Sequence, residues 1–146
     1  MTPVTTITGA VAWRAGHVDS TGMLIPVEVL QKMVDDLEGK ALPLTVNFDV
    51  AKPPIGRATV RMDGETLLVD ADIFNPEPIV LSVPIQDNIR PSFISVKEEH
   101  LPDQIVVLKE GRLLQLSVCL APNFPMALPE AQKPVSSLYD KPWPKE

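Results

Sequence analysis

Proline decides most of what this chain can fold into. It makes up 16 of the 146 residues. Each one fixes φ, removes a backbone donor and is excluded from helix interiors and central strands. Pro122, Pro125, Pro129, Pro134, Pro142 and Pro144 crowd the C-terminal end, so residues 122–146 read as an extended arm. Residues 1–121 read as one folded domain, long enough to bury a core. After Pro26 one stretch is free to be helical. Val27, Leu30, Met33, Val34 and Leu37 recur at spacings of three and four, which gives a single apolar face. Pro26 suits the first turn and Gly39 the stop, so a helix is expected over 26–38. Asp35, Asp36 and Glu38 oppose the helix dipole there, and packing must hold that end.

The rest reads as strand. Residues 5–13 are β-branched and small and run into a polar loop over 14–22. Residues 55–62 and 65–74 are expected to pair across Asp63-Gly64, with Met62 opposite Glu65, Val60 opposite Leu67 and Ala58 opposite Val69. That register places Arg57 across from Asp70 as an ion pair. Residues 75–90, with Pro76, Pro78 and Pro84, do not suit a long helix. Residues 91–98 read as a strand. A second hairpin is expected across Glu110-Gly111, between 105–108 and 112–121. In its second arm Leu114, Leu116, Val118 and Leu120 form the well-buried face, alternating with Leu113, Gln115, Ser117 and Cys119.

Composition removes several function classes. A net charge of -6 and a pI near 4.9, with no basic stripe, disfavour a nucleic-acid partner. The single cysteine, Cys119, rules out an internal disulfide and a cysteine-rich metal site, and its apolar setting reads as a small buried hydrophobe. There is no basic-then-apolar leader and no apolar run near the ~18 residues that span a bilayer. A soluble protein made in a reducing cytoplasm, with no membrane partner, is expected. No internal repeat, glycine-rich phosphate loop or metal-ligand cluster is present, and no cofactor is expected.

The most informative stretch is Leu42-Pro43-Leu44-Thr45-Val46-Asn47-Phe48-Asp49, closing through Pro53-Pro54-Ile55-Gly56. It resembles the central motif of the prohead (capsid maturation) proteases of tailed phages, which share their fold with the herpesvirus assemblins. That motif reads roughly Leu-Pro-Val, then Asn-His-Asp, then Pro-Ile-Gly. Three further blocks follow the same order over about residues 9–127. Val18-Asp19-Ser20-Thr21-Gly22 is similar to the family's Val-Asp-Ser-x-Gly-Asp, with Met23 in place of the final acid. Pro91-Ser92-Phe93-Ile94-Ser95 stands where the family has Leu-Ser-Ile-Gly-Phe. Leu116-Ser117-Val118 through Pro122-Asn123-Phe124-Pro125-Met126-Ala127 resembles the closing Val-Ser-x-Val and Pro-Ala-Asn-Pro-x-Ala, without its Ala-Asn pair. The resemblance implies a β-rich α+β fold, a compact barrel with one or two flanking helices.

It also implies where chemistry would sit. The family's catalytic base falls at Phe48, its nucleophile at Ser92, and a glycine of its nucleophile motif at Ile94. A serine hydroxyl needs a base within hydrogen-bond reach, and a phenyl ring accepts no proton. A vestigial site of Phe48, Asp49, Ser92 and Ile94 is therefore expected. Were the chain active, Ser92 would have to use His17 or His100, both of which read as solvated loop histidines. Asp19 and Asp49 read as turn caps. The ring of Phe48 would fill the former cleft with apolar surface. The expected function is a capsid decoration or cement protein of a phage virion. It would bind the major capsid protein, and copies of itself on the lattice, through apolar anchors and the arm. Pro122, Phe124, Pro125, Val135, Leu138, Tyr139 and Trp143 are the candidate anchors. The alternatives are an active maturation protease cleaving scaffold and capsid precursor, or an assembly scaffold.

Overall fold

The computed structural model describes residues 3–19, 21–76 and 84–120. The expected arm, its seven candidate anchors and the closing Pro122–Ala127 block lie outside the described residues.

The fold is β-rich α+β. Among the described residues seven strands, β1 (Thr5–Arg14), β2 (Met23–Leu24), β3 (Leu42–Val46), β4 (Gly56–Asp63), β5 (Thr66–Ile73), β6 (Ile89–Leu101) and β7 (Ile105–Val118), form one sheet around a single α-helix, α1 (Val27–Asp35). The ladder runs β1-β5-β4-β3-β7. One edge of β7 carries β3 at its C-terminal end and β2 near its start, both parallel, while β6 runs antiparallel along the other edge. The sheet curls into a half-barrel. Its two outer strands meet through side chains, where Trp13 of β1 stands edge-on to Phe93 of β6 with centroids 5.5 Å apart.

Helix α1 lies across β4 and β7 and buries Leu30, Met33 and Val34, with Leu37 packed beside them. Pro26 is its N-cap, and its carbonyl accepts the N–H groups of Val29 and Leu30. The helix is shorter than expected and ends at Asp35. Turn-type bonds carry the chain on to Lys40, as the acidic C-terminal end suggests. Val27 falls off the buried face and is exposed.

The first hairpin forms, but in another register. The paired residues are Met62 with Leu67, Val60 with Val69 and Ala58 with Ala71. The turn is Gly64-Glu65, with Gly64 at φ 62. Glycine takes the first central position, as in a type II′ turn, and the strands slide by two residues while keeping their faces. The expected Arg57–Asp70 pair is therefore replaced. Arg61 Nε donates to Asp70 Oδ2 at 2.9 Å, and Arg57 lies opposite Asp72 with its guanidinium 5.6 Å from the Phe74 ring.

Asp70 also accepts the Gly9 N–H at a bulge in β1 (2.9 Å). The hydrogen bond from Arg61 holds the Asp70 carboxyl below its ordinary value; the Gly9 N–H adds to this and burial opposes it. A carboxyl depressed in the folded state stabilises above the unfolded value of about 3.9, and the contribution fades as pH falls through the folded one. Urea unfolding of Asp70→Asn should therefore show a shallower loss of stability below pH ~4 than the parent chain, by a small margin because the pair is exposed.

The second hairpin is built elsewhere than expected. β7 runs unbroken through Glu110-Gly111, and the reversal lies at Pro102–Gln104, where Asp103 and Gln104 adopt φ 65 and 61. Pro-Asp is the turn chemistry that operates here. Gly111 instead faces a bulge on β6, where pairing steps from Ser95–Gly111 to Lys97–Glu110. A Cβ there would stand 2.6 Å from the Ile94 carbonyl oxygen. The expected alternation in β7 also fails. Gln115 through Leu120 are all buried and Leu114 is exposed, because β7 lies inside the sheet with protein on both faces.

Candidate functional site

Strand β3 ends in a reversal that places Phe48. Asn47 and Phe48 take consecutive left-handed conformations, φ 52 and 57, and Asp49 N–H closes the turn on the Val46 carbonyl at 3.0 Å. Both central residues at positive φ define a type I′ turn. Asparagine accepts that conformation readily, but a bulky ring does so at a cost on the order of 1–3 kcal/mol.

A buried polar network holds the turn. Phe48 N–H donates to Ser117 Oγ (2.8 Å), and Ser117 Oγ donates to the Thr45 carbonyl (3.1 Å). Thr45 Oγ1 donates to Gln115 Oε1 (2.6 Å). Asn47 is fixed at both ends: its N–H donates to the Val118 carbonyl (2.9 Å), and its Oδ1 accepts the Leu120 N–H (2.8 Å). Thr45, Gln115 and Ser117 are all buried, so each depends on these bonds. Asp49 caps the following turn, its Oδ1 accepting the Ala51 N–H, and Asp19 does the same for Thr21 and Met23.

Phe48 lines a cleft of about 290 Å³ together with Trp13, Met23, Pro91, Ser92, Phe93, Ser95 and Leu108. The structure thus brings together Phe48 and Ser92, which are far apart in sequence. Ile94 is not part of the lining. It is exposed, opposite Arg112. Asp49 faces its own loop. Among the described residues the lining carries two hydroxyls and no imidazole, carboxylate or amine.

Neither histidine enters the cleft. His17 is not the solvated loop residue expected: it is 3% exposed, with Nε2 2.9 Å from Glu65 Oε2 at the β4–β5 turn. The loop folds under that hairpin, a long-range contact with no local signal. His100 sits exposed at the far end of β6, 3.2 Å from Glu98 Oε1. Trp13, Met23, Phe93 and Leu108 were not foreseen as lining. The Gln115/Ser117 pair, polar residues inside a leucine-rich run, was the one signal of the network.

Cys119 lies below the turn and is 4% exposed. Burial pushes its thiol up to about 11, against the opposing pull of Arg90. Arg90 is buried too. Burial lowers its guanidinium from the ordinary value, and its Nη1 donates to the Ile89 carbonyl at 2.8 Å. Because the thiolate is the reactive species, iodoacetamide at pH 8 should leave Cys119 unmodified in the native protein and alkylate it fully in denaturing urea, read by intact mass.

Among the described residues no group of histidine, cysteine and acidic side chains could hold a metal ion, and no helix is long and apolar enough to cross a membrane. No family model, curated protein or solved structure matches the chain.

Proposed function

We propose that this chain is a structural protein of a tailed-phage virion, a capsid decoration or cement protein built on a prohead-protease-like fold without protease activity. The observation that carries the reading is the meeting of Phe48 and Ser92 in one cleft. These are the positions the family resemblance gives to base and nucleophile; both line the cleft, with a phenyl ring where proton transfer would need an imidazole. The left-handed backbone of Phe48 supports the same reading. A strained residue held by a satisfied polar network is the kind of outlier from which a functional past or present is inferred. In place of catalysis the protein binds the major capsid protein, and neighbouring copies of itself, by burying apolar anchors of residues 122–146 against the shell.

The test is the composition of purified mature virions. Quantitative mass spectrometry is expected to give this protein in a simple ratio to the major capsid protein, and a chain lacking residues 128–146 is expected to be lost from the particle. Near absence from virions, with capsid precursor cleavage that depends on this chain, would sink the reading. Labelling by a fluorophosphonate serine probe that disappears in Ser92→Ala would show a living nucleophile instead.

A further inference from the structure

We infer that two copies of this chain join edge to edge along β6, antiparallel about a two-fold axis at Glu98, so that each Lys97 meets Glu99 of the other copy. Strand β6 pairs with β7 on one side, and no strand lies on its other side among the described residues. Residues 94–100 of that strand are all exposed. Behind them β7 is anchored by β2 and α1, which holds the edge extended before any partner arrives.

The edge presents unused backbone groups. Val106 turns its N–H away from β6 and donates it to the Gly22 carbonyl at 2.9 Å. In an antiparallel ladder the N–H and C=O of one residue point to the same side, and those of its partner point the opposite way. His100 is that partner, so its backbone groups face the open edge, as do those of Glu98 two residues earlier with no bulge between. An incoming antiparallel strand must set outward residues against outward residues, which leaves few symmetric registers.

Charge selects one of them. With Glu98 on the axis, Lys97 falls opposite Glu99 of the second copy, and this happens twice. Lys97 already stands 3.7 Å from Glu110, and Glu99 3.6 Å from Lys109, across the β6–β7 ladder. The joined sheet therefore carries two rows of alternating sign: Glu110 and Lys97, then Glu99 and Lys109 of the second copy. An axis at Lys97 or at Glu99 would set like charges opposite each other and make no lysine–glutamate pair. On the other face Glu98 meets its own copy, the single like-charge contact of the pairing, with His100 3.2 Å away. Charges on an edge ordinarily keep strands apart; here their order matches itself under a two-fold rotation. The pairing needs only this chain, so it holds or fails independently of the capsid reading.

Sedimentation velocity of the full chain over rising concentration is expected to show a monomer–dimer equilibrium. Lys97→Glu and Glu99→Lys are each expected to raise the dimer Kd at least about tenfold. Mixing these two variants makes both cross-copy pairs attractive again, and is expected to recover the parent affinity to within about threefold. Glu98→Gln, which removes the repulsion on the axis, is expected to tighten the dimer. In hydrogen-exchange NMR the Glu98 amide is expected to slow as the dimer forms. The inference is overturned by a monomer at every concentration, by a dimer indifferent to the charge variants, or by a mixture as weak as its components. A Glu98→Gln dimer weaker than the parent, or a Glu98 amide that exchanges equally fast in monomer and dimer, overturns it too. Protection of that amide only when purified capsids are added would give the edge to another partner and overturn it as well.

Discussion

Gly56→Ala should abolish stable folding or lower stability by at least about 3 kcal/mol, at the severe end of overpacking substitutions. Gly56 begins β4 between two neighbours, paired with Leu44 of β3 on one side and Ile73 of β5 on the other. A Cβ there would overlap the Asp72 carbonyl oxygen and lie 3.0 Å from the Asp72 carbonyl carbon and from Ile73 Cα. All of these are backbone atoms in the middle of the ladder, so no side chain can swing aside. Relief would mean parting β4 from β5, and with them the Ile55 carbonyl that accepts the Phe74 and Asn75 N–H groups. Total stabilities of about 5–15 kcal/mol leave little reserve for such a loss. Urea denaturation should show it, with the exposed Thr59→Ala in the same strand within about 0.5 kcal/mol of the parent. A Gly56→Ala midpoint close to the parent's would mean that the strands are not packed this closely.

Trp13→Ala is expected to cost about 3–5 kcal/mol. The indole is 1% exposed, the largest fully buried side chain among the described residues, and it joins β1 to β6 through Phe93 where no backbone ladder does so. Its removal opens the seam of the half-barrel and merges the void with the cleft. The indole N–H is buried without a hydrogen-bond partner among the described residues, so the side chain contributes by packing alone. Trp13→Phe should consequently lose far less than Trp13→Ala, since it keeps a ring and discards an unsatisfied donor. Equal losses in the two variants, measured by urea unfolding, would show that the N–H has a partner.

Much of the architecture could be read from the residues, and the misses share a cause. The apolar face of α1, the strands on either side of Gly64 and the strand after Pro91 follow from spacing and turn chemistry, which act over a few residues. Register does not. Asp63-Gly64 and Gly64-Glu65 are both legitimate hairpin centres, and only the mutual packing of β1, β4 and β5 chooses between them. Glu110-Gly111 carries a turn signal that is overruled. The glycine serves a bulge against Ile94, and Pro102-Asp103 takes the reversal. His17 is polar and sits in a loop bounded by Gly16 and Gly22, yet a hairpin far along the chain covers it and gives it Glu65.

The candidate site divides in the same way. Phe48 and Ser92 were the positions the sequence singled out, and both line the cleft. What lies between them was not legible, because Trp13, Met23, Phe93 and Leu108 enter the cleft from β1, β2, β6 and β7 only once the sheet has curled. By itself the sequence determined which segments are strand or helix and which residue types stand at the critical positions, since propensity and turn chemistry are local. The tertiary structure alone decided the register, the burial of His17, and the grip of Ser117 and Gln115 on the Phe48 turn. Each of these depends on strands distant in sequence sharing one set of hydrogen bonds and one core.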